Sequence, residues 1–352
     1  MRIAQISPLY ESVPPSSYGG TERVVSYLTE ELVRQGHDVT LFASADSRTS
    51  ARLVGCSPES LRLSPGSIDT LAHHVLMLEC VGRHAEDFDV LHFHIDYLHF
   101  PFSRRAGWTT VTTLHGRLDI PDLVPLYDEF QDMAVVSISD SQRAPLPRAN
   151  WRATIHHGLP RDLYRLHERP EPYLAFIGRI SPEKRVDRAI EIARRAGLPI
   201  RIAAKIDAVD ERYFDEKISP LFVLPFVEYL GEIGEREKQA LLGGATALLF
   251  PIDWAEPFGL VMIEAMACGT PVIAWRRGSV PEVLEEGVSG FLVSTVDEAV
   301  AAVERAAKLD RRRCRAAFEA RFTADRMARD YAALYEELTG MPHDVLVPAT
   351  EE

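Results

Sequence analysis

Two glutamates, Glu256 and Glu264, lie on either side of a mostly apolar run in the second half of the chain. The run predicts a helix that is buried on several sides and that carries Glu264 in its body. An unpartnered buried carboxylate is costly, so Glu264 should meet a polar group such as a sugar hydroxyl. The alternative is an ion pair between Glu264 and a nearby arginine.

The start of this helix supplies a second set of polar groups. We expect the helix to begin at Pro257 and Phe258, which leaves the backbone N–H groups of Phe258, Gly259 and Leu260 without partners inside it. Amides in this position attract anions and other acceptors.

Two cations follow another predicted strand. Arg179 ends the strand 173–179, and Lys184 lies just inside a predicted helix, 182–197, whose N-cap is Ser181. Cations at such a turn suit a diphosphate leaving group. The alternative is that both are ordinary surface charges.

A glycine pair precedes the first predicted helix, 21–36. Gly19 and Gly20 lie before the expected N-cap Thr21, where free amides would favour an anion. The dinucleotide-binding pattern G-x-G-x-x-G is missing from this loop. The alternative is a flexible loop with a capping residue.

Histidines are concentrated in the first half of the chain. His115 ends a predicted strand and should point into a crevice, which His156 and His157 could also line. His92, His94 and His99 make a metal site conceivable, but no carboxylate or cysteine completes a ligand set, and we predict none.

The elements that position these residues alternate between strands and helices. Runs that are apolar or β-branched on both faces predict parallel sheets covered by helices. The predicted strands of the first half are 2–7, 38–44, 89–95, 109–115 and 134–140. Those of the second half are 173–179, 199–205, 227–231, 245–251, 271–275 and 290–293.

A charged, proline-containing segment at 165–173 reads as a linker. We therefore predict an α/β protein with two doubly wound domains and a crevice between the carboxyl ends of their sheets. The predicted domains are residues 1–167 and 168–324, followed by a helix and tail at 325–352 whose helix packs back on the first domain.

The bulk composition narrows the class of protein. A chain of 352 residues favours two domains, and a formal charge of −13 argues against nucleic-acid binding or strong membrane association. Four scattered cysteines, no signal-peptide pattern and no long apolar run lead us to expect a cytoplasmic protein.

Taken in order, these motifs resemble those of the retaining GT-B glycosyltransferases of family 4. They are the Gly-Gly loop, a strand-end histidine, G-R-x-x-x-x-K, and E-P-F-G-x-x-x-x-E-A-M-A-x-G-x-P-V-I. The opening stretch is most similar to a bacterial subgroup that includes avilamycin-type sugar transferases and UDP-glucose:tetrahydrobiopterin glucosyltransferases.

The resemblance implies a role for each motif in holding a nucleotide-sugar donor. Glu264 would bind the ribose, and Glu256 with the amides of Phe258, Gly259 and Leu260 would bind the sugar hydroxyls. The remaining motif residues would contact the diphosphate (Arg179, Lys184, the loop of Gly19 and Gly20) or the sugar (His115).

The activity implied is transfer of glucose or a related hexose from a UDP-linked donor to a hydroxyl of a small soluble acceptor. The resemblance also implies that the anomeric configuration is retained and that no metal or other cofactor is required. A nucleotide-sugar 2-epimerase of the same fold and a non-catalytic nucleotide-sugar-binding protein are the alternatives. The sequence does not predict the acceptor or the oligomeric state.

Two positions depart from the family pattern. Arg185 follows the phosphate lysine where the family often has glycine, and Arg277 stands in a stretch where many members have a glycine pair. Both departures bear on which donor is bound.

Overall fold

The computed structural model describes residues 1–16, 19–62, 64 and 68–340, and within them the chain forms two parallel sheets. The first sheet has seven strands in the order β3-β2-β1-β4-β5-β6-β7. These strands are β1 (Arg2–Ile6), β2 (Asp38–Ser44), β3 (Arg52–Ser57), β4 (Val90–Phe93), β5 (Thr110–Thr113), β6 (Val135–Ser137) and β7 (Trp151–Thr154).

Helices connect these strands and cover the first sheet. They are α1 (Gly20–Arg34), α2 (Thr70–His84), α3 (Phe100–Ala106), α4 (Leu123–Glu129) and α5 (Asp140–Arg143), with a 3-10 turn at Ala85–Asp87. Between β7 and the next sheet, the chain has no helix or ladder strand, as expected for a connecting segment.

The second sheet has six strands in the order β10-β9-β8-β11-β12-β13. They are β8 (Leu174–Arg179), β9 (Ile200–Lys205), β10 (Val227–Gly231), β11 (Ala247–Phe250), β12 (Val272–Trp275) and β13 (Gly290–Val293). Its longer helices are α6 (Val186–Ala196), α9 (Glu235–Gly244), α10 (Leu260–Ala267), α12 (Val296–Ala306) and α13 (Arg311–Arg321). Shorter ones are α7 (Glu211–Tyr213), α8 (Ser219–Phe222) and α11 (Val280–Val283), with a 3-10 turn at Ala208–Asp210 and a π turn at Phe214–Ile218.

The last helix, α14 (Ala324–Thr339), returns to the first sheet. Met327, Tyr331 and Tyr335 are buried in one apolar cluster with Ile3 and Val24. Burying a large apolar side chain contributes about 1.5–3 kcal/mol, so this helix is an integral part of the first domain's core. The expected tail beyond it, from residue 341 onwards, lies outside the described residues.

The prediction of two parallel doubly wound sheets is confirmed. Most helix and strand ends agree with the sequence expectations to within two or three residues, but two edge strands, β3 and β7, were missed. Their residues are only partly buried, so they lack the run of apolar positions by which inner strands are recognised.

Among the described residues, no helix combines the length and the apolar character that crossing a bilayer requires.

Candidate functional site

A cleft of about 420 Å³ opens between the carboxyl ends of the two sheets. Its walls come from both domains, as expected for a two-sheet crevice. All of the motif residues singled out above line it, namely Gly19, Gly20, His115, Arg179, Lys184, Glu256, Phe258, Gly259, Leu260 and Glu264.

The turn between β8 and α6 holds the two expected cations, but not in the predicted geometry. Helix α6 begins at Val186, not at residue 182, and its N-cap is Arg185 with φ of 56°. The proposed cap at Ser181 is therefore wrong, and Lys184 lies in the turn before the helix. Left-handed backbone is costly for a residue with a Cβ, which accounts for the frequent glycine at this position in the family pattern.

Lys184 is ion-paired with Glu256 in the cleft, and both side chains are largely buried. The indole N–H of Trp254 donates to the same Glu256 oxygen at 3.0 Å. The ammonium group also lies 5.1 Å from the Trp254 ring centroid and 5.5 Å from that of Phe250. One predicted phosphate ligand and one predicted sugar ligand are thus each other's partner.

Arg179 is likewise held by carboxylates. Its guanidinium group donates to Glu183 at 3.1 Å and to Asp207 at 3.4 Å. Lys205, at the end of the neighbouring strand, pairs with Asp207 at 2.9 Å. The cations at this turn and at the end of the neighbouring strand are therefore each paired with a carboxylate.

Glu264 forms an ion pair, as the second of the two interpretations of the sequence predicts. The partner is Lys238 at 2.9 Å, not an arginine, and Lys238 also contacts Glu235 at 3.2 Å. Glu235 in turn pairs with Arg23 from α1 of the other domain. This network joins the two domains, and all four of its side chains line the cleft.

The predicted helix start at Pro257 is wrong by three residues, because α10 begins at Leu260 with Gly259 as its N-cap. Gly259 has φ of 82°, and a Cβ at this position would lie 2.8 Å from the Met262 Cε atom. Glycine is favoured here because few other residues adopt this backbone conformation, whereas the Met262 side chain could move aside. Phe258 is buried and its ring packs edge-on against His157, with ring centroids 4.9 Å apart.

Helix α1 also begins differently from the prediction. Its N-cap is Gly19 with no side-chain hydrogen bond, so Thr21 is not the capping residue. A Cβ on Gly20 would lie 3.8 Å from Leu260 Cδ1, which places the starts of α1 and α10 face to face across the cleft. The N-terminal ends of two helix dipoles therefore lie close together, which favours an anionic ligand.

His115 stands at the carboxyl end of β5, where the sequence placed it. Burial lowers the pKa of its ring to about 3, so the imidazole is neutral. Its Nε2 lies 2.9 Å from Nδ1 of His94, while its own Nδ1 is buried with no partner among the described residues. A neutral ring suits hydrogen bonding to a ligand and not proton donation.

His92 and His99, from the conceivable metal site, are held by neutral side chains. His92 contacts Tyr335 and Thr113, and His99 contacts Ser103 and Thr112. Across the parts of the chain that the structure describes, no group of three or more histidine, cysteine or acidic side chains has the arrangement of a metal site.

A second junction joins the two domains. The Glu282 carboxylate accepts the backbone N–H groups of Asp140 and Ser141, each at 2.7 Å. Ser139 donates its hydroxyl to the carbonyl of Pro257 at 2.7 Å. Burial opposes ionisation of Glu282, but hydrogen bonds from His156 and the two amides outweigh it and lower the pKa.

Several site residues escaped the sequence analysis. Lys238, Arg23 and Trp254 line the cleft, and Gln5 reaches His115 through His94. Each stands outside the recognised motifs, so only its spatial neighbours reveal its importance. Trp254 offered one usable signal, since it lies two positions before Glu256 in the same loop.

Two protein families match the sequence, one for each sheet. The family described as glycosyl transferases group 1 matches residues 165–321, and the one described as glycosyltransferase family 4 matches residues 18–158. The chain belongs to the GT-B glycosyltransferases of family 4.

Characterised relatives share moderate sequence identity. Alpha-maltose-1-phosphate synthase of Mycolicibacterium smegmatis is 32% identical over 128 residues, which cover 35% of this chain and 33% of that protein. D-inositol 3-phosphate glycosyltransferase of Mycobacterium marinum is 32% identical over 140 residues, 38% of this chain and 30% of that protein. The enzyme of that name from Corynebacterium efficiens is 26% identical over 381 residues, 88% of this chain and 87% of the relative. The first two alignments therefore span about a third of each relative.

Solved structures of glycosyltransferases have the same fold. AviGT4, involved in avilamycin A biosynthesis, superposes with a TM-score of 0.74 at 24% identity, covering 97% of this chain and 99% of that one. Anabaena HepE in complex with UDP and glucose superposes with a TM-score of 0.72 at 18% identity, covering 96% and 100%.

Proposed function

We propose that the protein transfers glucose or a related hexose from a UDP-linked donor to a hydroxyl of a small soluble acceptor, with retention of configuration. The observation that carries this proposal is the cleft in which Lys184 and Glu256 contact each other between two facing helix starts. An ammonium group that can bind a phosphate and a carboxylate that can accept hydrogen bonds from sugar hydroxyls are therefore close enough to contact one nucleotide-sugar molecule. HepE, which has this fold, is described in complex with UDP and glucose, and this supports the donor class.

Donor binding would begin with an exchange of partners. The diphosphate takes Lys184 and Arg179 away from their carboxylates, and the amides at the starts of α1 and α10 add further donors. Once released, Glu256 accepts hydroxyl protons of the sugar. The carboxylate that neutralises Lys184 in the free protein thus becomes a ligand for the group to be transferred.

The same cations stabilise the bond-breaking step. As the bond between the anomeric carbon and the phosphate oxygen lengthens, negative charge develops on the diphosphate and positive charge on the sugar. Groups already in position for such charge need no reorganisation, which makes Arg179 and Lys184 effective. The acceptor oxygen then attacks from the leaving group's face and gives its proton to the departing phosphate oxygen.

Glu264 would hold the nucleoside. Lys238 occupies its Oε1 atom, and the carboxylate retains lone pairs that ribose hydroxyls can use. Because Lys238 also contacts Glu235, which pairs with Arg23, nucleotide binding at Glu264 would be linked to the junction between the two domains.

A panel of nucleotide sugars tests this function. A UDP-hexose should raise the melting temperature, and donor consumption should require an added acceptor. The variant Lys184→Ala should lose the thermal shift, whereas Glu286→Ala, which removes a half-exposed ion pair to Arg305 outside the cleft, should keep it. Absence of a shift with every nucleotide sugar would refute the donor assignment, and donor turnover without acceptor would refute transfer.

A further inference from the structure

A chain of buried polar side chains leads from His115 into the core of the first domain. The His115 ring contacts His94, whose Nε2 lies 2.8 Å from the Gln5 side-chain oxygen. The Gln5 amide nitrogen lies 3.1 Å from the Tyr335 hydroxyl, which lies 2.6 Å from Nδ1 of His92. Gln5, His92 and Tyr335 have no exposed surface.

The orientation of the Gln5 side chain links the two histidines. Its NH₂ group faces Tyr335 and donates to that hydroxyl at 3.1 Å, and its carbonyl oxygen faces Nε2 of His94 at 2.8 Å. The Tyr335 hydroxyl accepts from Gln5 and keeps its own proton, which it can donate to Nδ1 of His92 at 2.6 Å.

This orientation determines the proton positions on the next two rings. His94 has to donate from Nε2 to the Gln5 oxygen, and burial keeps the His94 pKa well below its ordinary value. A neutral imidazole has one N–H, so Nδ1 of His94 is an acceptor. The His115 ring must then donate from Nε2, which leaves its Nδ1 with a lone pair and no proton.

We infer that Gln5 and His94 are positioning residues that hold His115 in the Nε2–H tautomer, so that its Nδ1 accepts a hydrogen bond from a hydroxyl of the transferred sugar. His115 lines the cleft, and Nδ1 is the ring nitrogen that His94 does not contact. It is buried without a partner among the described residues, which is costly unless a ligand supplies a donor. This inference rests on the proposed function.

The tautomer also limits the sugars that this wall of the cleft can accept. A hydroxyl can donate to a ring lone pair, but a carboxylate cannot, and it would place negative charge against an acceptor. The packing of His157 against the His115 ring, with ring centroids 5.3 Å apart, leaves little freedom for the ring to turn over. A hexose should therefore be preferred to the corresponding hexuronic acid.

The tautomer can be measured on the free protein by ¹⁵N NMR of selectively labelled histidines, with His115→Leu to assign the signal. We expect a protonated Nε2 and an unprotonated Nδ1 for His115. The opposite assignment would overturn the inference. Since no donor is present, this result is independent of whether the protein transfers a sugar.

Two substitutions at Gln5 separate positioning from simple packing. Gln5→Glu keeps an oxygen that accepts from His94, so the ¹⁵N spectrum of His115 should still show the Nε2–H tautomer. Gln5→Met fills the space without an acceptor, so both tautomers should appear and kcat/KM should fall about tenfold, the equivalent of one hydrogen bond. An unchanged His115 spectrum in Gln5→Met would show that Gln5 does not set the tautomer.

Deoxygenated donors test the contact with the sugar. Removing the hydroxyl that faces His115 should cost the wild-type protein about tenfold in kcat/KM and cost His115→Leu little. Equal losses in both proteins for every deoxy-hexose would overturn the contact. If the tautomer is as expected but no nucleotide sugar is turned over, the proposed function fails and the positioning role remains.

Discussion

Lys184 and Glu256, 72 positions apart in the chain, are paired with each other inside the cleft. Each lies on a different strand-to-helix connection of the second sheet, after β8 and after β11. In the proposed function, the cation assigned to the phosphate is thus neutralised in the free protein by the carboxylate assigned to the sugar. Donor binding would exchange this contact for two others.

The variant Glu256→Ala distinguishes binding of the sugar from binding of the nucleotide. Removing the carboxylate should weaken binding of the sugar nucleotide, because hydroxyl contacts are lost. Free UDP should bind as well as before or more tightly, because Lys184 no longer has a competing partner. Isothermal titration calorimetry with both ligands measures this difference, and equal weakening of the two would contradict the role given to Glu256.

Glu264→Ala should instead weaken every ligand that carries the nucleoside. Its carboxylate is buried beside Lys238, and the substitution also leaves that lysine without one of its two carboxylates. Titrations with UDP and with the sugar nucleotide should therefore show the same loss. Lys238→Met, which removes the ammonium group, serves as a comparison, and a loss confined to the sugar nucleotide would exclude ribose binding.

Arg179→Ala and Lys184→Ala should each lower turnover by about 10²–10³, the usual cost of removing one preorganised charge-stabilising group. Lys184→Arg should restore only part of this loss, because a planar fork replaces a point charge in a space bounded by Trp254 and Phe250. Steady-state kinetics with circular dichroism as the folding control measure the effect. Full activity in Lys184→Arg would show that charge alone is sufficient.

Chelation tests whether these side chains carry the leaving-group charge by themselves. With Arg179 and Lys184 in place, activity should be unchanged in EDTA. An activity that is lost in EDTA and restored by Mg²⁺ or Mn²⁺ would assign the stabilising charge to a metal ion. The Arg179→Ala variant should be assayed in parallel, since a metal could compensate for it.

The left-handed backbone at Arg185 predicts an unusual order of stabilities. Arg185→Gly relieves the strain but loses the ion pairs to Asp187 and Asp253. Arg185→Ala loses the same pairs and keeps the strain. The glycine variant should therefore be the more stable of the two by about 1 kcal/mol in urea unfolding. The reverse order would show that α6 can begin with a different backbone conformation.

The sequence was sufficient to predict the inner strands and the residues at their carboxyl ends. Inner strands such as β2 and β8 are recognisable because both faces are apolar, and Arg179 and His115 follow from the rule that parallel sheets bind ligands at those ends. The start of α6 was misplaced because Ser181 and Pro182 imitate a cap, whereas the true boundary depends on one backbone angle at Arg185.

The partners of the site residues could not be predicted in this way. The contact of Glu264 with Lys238 joins two neighbouring helices, and the contact of Gln5 with Tyr335 spans 330 positions. Such pairs depend on how separate segments pack, and each member taken alone is an ordinary polar residue. The sequence therefore indicated residues that line the cleft but not the contacts that hold them there.

The return of α14 to the first sheet affects how the protein is made. A ribosome releases residues 2–154, with every strand of the first sheet, long before Tyr331 and Tyr335 are synthesised. Until then, the surface around Ile3 that these tyrosines cover is open to other apolar chains. The domain that is translated first is thus the last to complete its core, and chains truncated before residue 324 should need chaperones to remain unaggregated.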